Sequence, residues 1–499
     1  MTGLAEPPRR DRFVVSRGCF EEMLVWLDGG VAGGLSHAEL ETQLDVKGRE
    51  LLRRLYQEHL DLRTVREARV EVIDAHGTVY GTVEGGHHRT LATIFGTVDV
   101  DRFAYRHRGC VNLHPADAVL NLPTGRHSHG LRRLAAIESA RGSFDAATEA
   151  IERSTGVMVG KRQVEELTTK AAVDVEDFYA TFAPEPGVGD DALVLSCDGK
   201  GIVMRPDALR PATEKAAAVA TTKLKTRLSK GEKRYRKRMA EVGAVYDLTP
   251  VTRTATDVMA SGDDQAIPPP SAHHKWVTAS VADDAAVVVA RVFDEAERRD
   301  PDHQRDWVAL VDGNNHQLDR IHAEAHSRDV NVVIIIDVIH VLEYLWGAVW
   351  CFFDEGDPAA EAWVRDKARS VLEGNATHVA AGIRRWATTR RLPLFKRDKA
   401  DACATYLTNK APYLDYPTAL ANGWPIATGV IEGTCRYLVA DRMDITGARW
   451  SVNGAEAILK LRALRANGDL DTYWQYHLNQ ERQRIHQSRY TNSLIPAAA

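Results

Sequence analysis

Three acidic residues stand where carboxylates could hold a hard cation. Asp198 closes the apolar run ALVLSC and is followed by Gly-Lys-Gly, residues that let a ligand approach the backbone. Asp312 closes the run DWVALV, and open α/β sheets gather their ligands at the carboxyl ends of such strands. Glu432 follows Pro425 and Gly429 near the start of a helical stretch, with Arg436 one turn later on the same face. Taken singly, each has an ordinary meaning: Asp-Gly marks a hairpin turn, and a Glu-Arg pair is a solvated helix surface. Taken together, three carboxylates suit two Mg²⁺ or Mn²⁺ ions, one activating a water or a 3′-hydroxyl and the other steadying the leaving oxygen of a phosphodiester. A second pair, Asp337 and His340, follows the next apolar run as Asp-Val-Ile-His. Asp337 either supports the site or caps the helix it begins, and His340 is either a supporting group or a core histidine.

Basic residues cluster close by in sequence. Lys223, Lys225, Arg227, Lys230, Lys233, Arg234, Arg236, Lys237 and Arg238 fall within sixteen positions that hold a single Glu. So dense a block next to a metal site points to phosphates, whose counterions are released on binding. Earlier in the chain, GSFDAATEAIERSTGVMVGKRQVEELTTKAA has the cadence of helix, glycine turn and helix. Its second helix begins near Gly160 and presents Lys161, Arg162 and Gln163 from its first turn. The alternative is a plain helical hairpin. In GARWS, Arg449 could hold a phosphate while Trp450 stacks on an unpaired base, or Trp450 could be buried. His107, Cys110 and His114 match no standard zinc spacing.

These residues need elements to position them. After the Pro/Gly-rich stretch APEPGVGDD the pattern runs strand, strand, strand, helix, strand, helix, strand, helix, from ALVLSCDGKGIVM to VIHVLEYLWGAVWCFF. Three meandering strands followed by helical crossovers make a mixed sheet of ribonuclease H-like topology. The expected fold is therefore α/β, with this layout. Residues 1–125 form an α+β module, opened by a helix that Ser36 and Glu39 cap. Residues 126–185 form a helical region resembling a helix-turn-helix. Residues 190–353 form the ribonuclease H-like core, 354–424 an all-α insertion, and 425–499 C-terminal helices that complete the core.

Composition narrows the function. At 499 residues the chain is long enough for two or three cores. A net charge of −5 confines any nucleic-acid contact to local basic patches. The six cysteines show no CxxC pair and read as reduced thiols. The polar first residues lack the apolar segment of a secretion signal, and no apolar run is long enough to span a bilayer, so a soluble, cytoplasmic protein is expected, nucleoid-associated if it binds DNA.

With Asp198, Asp312, the Asp337-to-His340 motif and Glu432 in place, the chain resembles the DDE-type transposases of bacterial insertion sequences, in particular the ISKra-type group related to Mutator-like elements. The resemblance runs over nearly the full length. It is carried by SCDGKGIVMRPDALR, KLKTRLSKGEKR, VALVDGNNHQLDRIHAEA, DVIHVLEYLW and GVIEGTCRYLVADRMDITGARW. It implies that Asp198, Asp312 and Glu432 are the metal-binding triad, that Asp337 and His340 are an auxiliary pair, and that an all-α insertion precedes the glutamate. Asp312 and Asp337 both end apolar strands, so either could be the second ligand; Asp312 is preferred. Members of the group often carry a cysteine pair where this chain has His107 and Cys110. The resemblance also implies DNA as partner, both terminal inverted repeats and target, and a homo-oligomer assembled on it. The alternatives are a ribonuclease H-like nuclease or resolvase that does not join ends, and a non-enzymatic DNA-binding regulator.

Overall fold

The computed structural model describes residues 12–182, 189, 191–219, 236–260, 266–445 and 447–496. Lys223, Lys225, Arg227, Lys230, Lys233 and Arg234 of the basic block lie outside the described residues. The chain forms two compact units, Met1–Ala180 with Asp469–Ala499, and Thr181–Gly468. The segment 425–499, expected to complete one core, is thus divided at Asp469.

The first unit begins with helices α1 (Val14–Asp28) and α2 (His37–Arg66). Ser36 caps α2 with Glu39 in a reciprocal box: Ser36 N donates to Glu39 Oε2 at 2.9 Å, and Glu39 N to Ser36 Oγ at 3.4 Å. The alternating residues that follow make the antiparallel hairpin β1 (Thr82–Thr93) and β2 (Gly96–Arg106). Three helices come next, α3 (His129–Arg141), α4 (Phe144–Thr155) and α5 (Lys161–Ala171), around Leu131, Ala135, Ala147, Ile151, Val159, Val164 and Leu167. Gly156 ends α4 with φ +69°, which glycine adopts without strain, and Gly160 starts α5. The helix, glycine turn and helix expected from the sequence are present. The C-terminal helix Leu470–Ile485 belongs to this unit. It is held by buried charge pairs: Arg132 with Glu481, and Asp174 with His477 at 2.6 Å and Arg484 at 2.8 Å.

The second unit is mixed α/β. Strands β3 (Ala192–Val203), β4 (Lys237–Leu248), β5 (Ala272–Ser280), β6 (Trp307–Val311) and β7 (Val332–Ile336) form one sheet in the order β5-β4-β3-β6-β7. The first three are an antiparallel meander, and β6 and β7 join in parallel. All five residues of β6 are buried, as a central parallel strand requires. Helix α6 (Ala285–Arg299) covers one face with Val288, Val289, Val292 and Phe293. A Cβ on Gly243 would stand 2.4 Å from Val292 Cγ2, so the absent side chain is what allows α6 to pack this closely. Helix α7 (Asn315–Ser327) links β6 to β7, and α8 (Val338–Val349) follows β7.

Residues 354–424 are helical as expected, with α9 (Pro358–Leu372), α10 (Ala376–Thr389) and α11 (Leu394–Lys410). They share a core with Val194, Tyr246, Val308 and Leu310 of the sheet. The chain then returns as α12 (Gly429–Thr434), which runs into a π-helical turn Cys435–Ala440, and as α13 (Val452–Asn467). Asn467 caps the edge strand by hydrogen-bonding both Val277 N and Val277 O. Among the described residues no helix is long and apolar enough to cross a membrane.

Candidate functional site

The register of the parallel strands aligns two of the acids. β3 and β6 pair as Leu193–Trp307, Val194–Val308 and Leu195–Ala309. Three residues further along both chains stand Asp198 and Asp312, so the two are level on neighbouring strands. Asp337 stands level with them one strand further on, its N–H donating to Val311 O at 2.9 Å. A row of three aspartates therefore crosses the sheet where β6 and β7 end.

Their surroundings differ. Asp198 is half-buried; its Oδ1 accepts from Gly199 N at 2.6 Å, and its Oδ2 from Cys435 Sγ at 3.3 Å. Asp312 is also half-buried, with Oδ1 accepting from Asn314 N at 2.8 Å. Asp337 is fully buried. Its Oδ1 accepts from Ile339 N at 2.7 Å, capping α8, and its Oδ2 accepts from Thr428 N at 3.2 Å and from Thr428 Oγ1. Both oxygens of Asp337 are thus engaged within the protein, and they anchor the residue from which α12 starts. His340 is partly exposed and meets Glu343 at 3.2 Å.

Glu432 is carried on α12, exposed, with Arg436 exposed one turn later. Two ties hold this helix over the sheet: Thr428 to Asp337 at its start, and Cys435 to Asp198 at the π-turn. Single extra-residue turns of this kind are frequent at functional sites. Burial, followed by the nearby Asp198, pushes the Cys435 thiol up, so it stays protonated and donates. The oxygens of Asp198, Asp312 and Glu432 do not all lie within 4.8 Å of one another. Like charges drawn closer would repel.

Asp198 and Asp312 line one cleft of about 280 Å³, together with Glu241, Asn314, His316 and Gln317. The sequence did not single out Glu241. It pairs across the ladder with Gly199, next to Asp198, and lines the same cleft. Burial raises the Glu241 pKa; Arg210 opposes the shift and Asp198 adds to it. The alternation of AEVGAVYDL was legible, but which residue faces Gly199 depends on inter-strand register. No family model and no curated protein matches this chain. What the site can do rests on its own chemistry.

The expected nucleic-acid contacts fall into three groups. Lys161, Arg162 and Gln163 are exposed in the first turn of α5, where Lys161 pairs with Asp145 at 2.7 Å, Arg162 with Glu166 at 3.4 Å, and Gln163 caps Gly160 N. Lys237 and Arg449 are exposed, while Arg236 and Arg238 are half-buried, with Arg238 donating to Ala282 O at 3.1 Å. Trp450 requires a correction: it is buried rather than open to a base. Its ring lies under Arg442 at 4.7 Å, its Nε1 donates to Met443 O at 3.0 Å, and its backbone bridges to Val203 and Arg205. In the first unit, His107 and His114 bond to the carbonyls of Val79 and Phe103, and Cys110 forms no metal-ligand group with them.

Proposed function

We propose that this chain is a DDE-type DNA transposase with a ribonuclease H-like core. The observation that carries the reading is the alignment of Asp198 with Asp312 on adjacent strands, beneath a helix that brings Glu432 back over the sheet and is hydrogen-bonded to Asp198 through Cys435. The strand order, with the antiparallel meander on one side of β3 and the parallel strands on the other, supports this reading.

The donor set suits Mg²⁺ or Mn²⁺: hard carboxylate oxygens, with Asp198 and Asp312 half-buried and steadied by Gly199, Cys435 and Asn314, and Glu432 exposed. Asp198, Asp312 and Glu432 would hold two such ions. When bound, they would supply Lewis-acid activation of a water or 3′-hydroxyl and charge relief at the leaving oxygen. The chain's own residues orient that site. Asp337 fixes the start of α12, Cys435 fixes Asp198, and the turn at Asn314 fixes Asp312. Arg436, Arg449 and Lys237 offer exposed charge to DNA phosphates, and the first turn of α5 offers Lys161 and Arg162 to a DNA groove. Joining two element ends to a target calls for more than one copy of the chain.

The test is a strand-transfer assay with DNA carrying the element's terminal repeats. Wild type should cut and join in Mg²⁺, and Glu432→Gln should bind the same DNA with joining reduced at least about a hundredfold. Full joining by Glu432→Gln removes the residue from the mechanism. Cutting by wild type without joining makes the chain a nuclease, and binding without metal-dependent cutting makes it a regulator.

A further inference from the structure

We propose that Asp247, His273 and His274 form a site for a borderline transition-metal ion such as Zn²⁺, separate from the aspartate row. One ligand atom from each lies within 4.8 Å of the other two.

The backbone accounts for how two consecutive strand residues reach one ion. Neighbours in a regular strand project to opposite faces. Here β5 carries an extra residue: pairing passes from Val245–Trp276 to Asp247–His273, and His274 is left-handed at φ +45°. Such a bulge position favours glycine, yet this chain places an imidazole there. The two rings lie 5.0 Å apart at 77°, and His273 is directly opposite Asp247 in the ladder. Bulges re-aim side chains in this way next to functional sites.

The neighbours orient the ligands. Asp191 Oδ2 holds His273 Nε2 at 2.8 Å, the carboxylate–imidazole pairing that fixes a ring and leaves its other nitrogen for a metal. Arg305 occupies Asp247 Oδ1 at 2.8 Å, and Oδ2 lies 3.1 Å from His274 Nδ1. Two guanidinium groups, Arg305 and Arg299, oppose a cation here. Arg299 is itself compensated, since its Nε bonds Glu295 at 2.8 Å, and Arg305 turns its Nε to the Asp191 carbonyl at 2.8 Å. With both imidazoles neutral, the carboxylates of Asp191, Asp247, Glu295 and Asp300 exceed the guanidiniums of Arg298, Arg299 and Arg305 by one. The His274 side chain is 70% exposed, so an ion enters from solvent and a water can complete its shell. Two imidazoles and a carboxylate select Zn²⁺, Co²⁺ or Ni²⁺ over Mg²⁺.

The test is titration of the full chain with Co²⁺, followed by its d–d absorption, alongside melting with and without Zn²⁺. His274→Gly removes a ligand at a backbone position that glycine takes without strain, so its fold is preserved. Wild type and Asp198→Asn should show the same Co²⁺ d–d band from one imidazole-ligated ion and melt higher in Zn²⁺; His274→Gly should bind that ion at least about tenfold more weakly and lack the band at the same Co²⁺. The site is overturned if wild type does not bind Co²⁺, if His274→Gly binds it equally well, or if Asp198→Asn abolishes binding.

Discussion

Asp312 and Asp337 end adjacent strands with the same residue type, yet their hydrogen bonds give them different work. Asp337 spends both oxygens on Ile339 and Thr428, so Asp337→Asn leaves Thr428 without its acceptor in a buried place. The expected result is a loss of about 1–3 kcal/mol of stability, read by denaturant unfolding, with weakened cleavage because α12 loses its anchor. Asp312→Asn should instead abolish cleavage and leave stability within about 0.5 kcal/mol of wild type. Both acids were legible in the sequence, because each closes an apolar run. Their division of labour was not, since it depends on Thr428, ninety-one positions from Asp337. Trp450 shows the same limit. A glycine turn before Arg-Trp suggests an exposed ring, but the turn feeds a bridge to Met204 that buries it. Trp450→Ala should therefore cost about 3–5 kcal/mol of stability, seen in the same unfolding measurement, because it empties a core position.

At the scale of elements, periodicity made the sheet and its crossover helices legible from β3 to α8. Runs such as WVALV and VVIII are short and wholly apolar, and α6 places Val288, Val292 and Ala296 on one face. The close approach of α6 depends on Gly243. Gly243→Ala should destabilise the second unit by about 1–3 kcal/mol, measured by thermal melting, since its Cβ would strike Val292. The C-terminal helix Leu470–Ile485 was less legible. Its partners Arg132 and Asp174 lie more than three hundred positions away, and an amphipathic pattern does not say which core a helix joins. Those partners also make the first unit acid-sensitive. Burial and then Arg132 hold the His129 pKa down at about 4, so the neutral ring is the folded form. Its contribution is full above the unfolded value of about 6.5 and is lost as pH falls through about 4. For Asp174, burial alone would raise the pKa, but hydrogen bonds from His477 and Arg484 outweigh it and hold it at about 2. Its contribution is present above about 3.9 and lost as pH falls through about 2. Circular dichroism on acid titration should show a first loss of stability between about pH 6.5 and 4, and a His129→Asn variant should lose less over that window, the remainder coming from His114, His127 and His486, whose pKa values burial also lowers.

Across the whole molecule, a charge balance of −5 means that the proposed DNA binding would rest on local clusters rather than on a general basic surface. With few phosphate contacts the salt dependence should be shallow, affinity for element ends falling only about tenfold between roughly 50 and 200 mM salt; a fall of about a thousandfold would point to a broad basic surface. In the proposed transposase, residues 198, 312 and 432, far apart in the chain, serve one metal centre. Anomalous diffraction from crystals of the full chain soaked in Mn²⁺ tests it most directly. Manganese peaks should lie within about 2.3 Å of the Asp198 and Asp312 carboxylates, with the Glu432 side chain turned to join them. Manganese bound elsewhere, or against the two aspartates with Glu432 still directed into solvent, would contradict it.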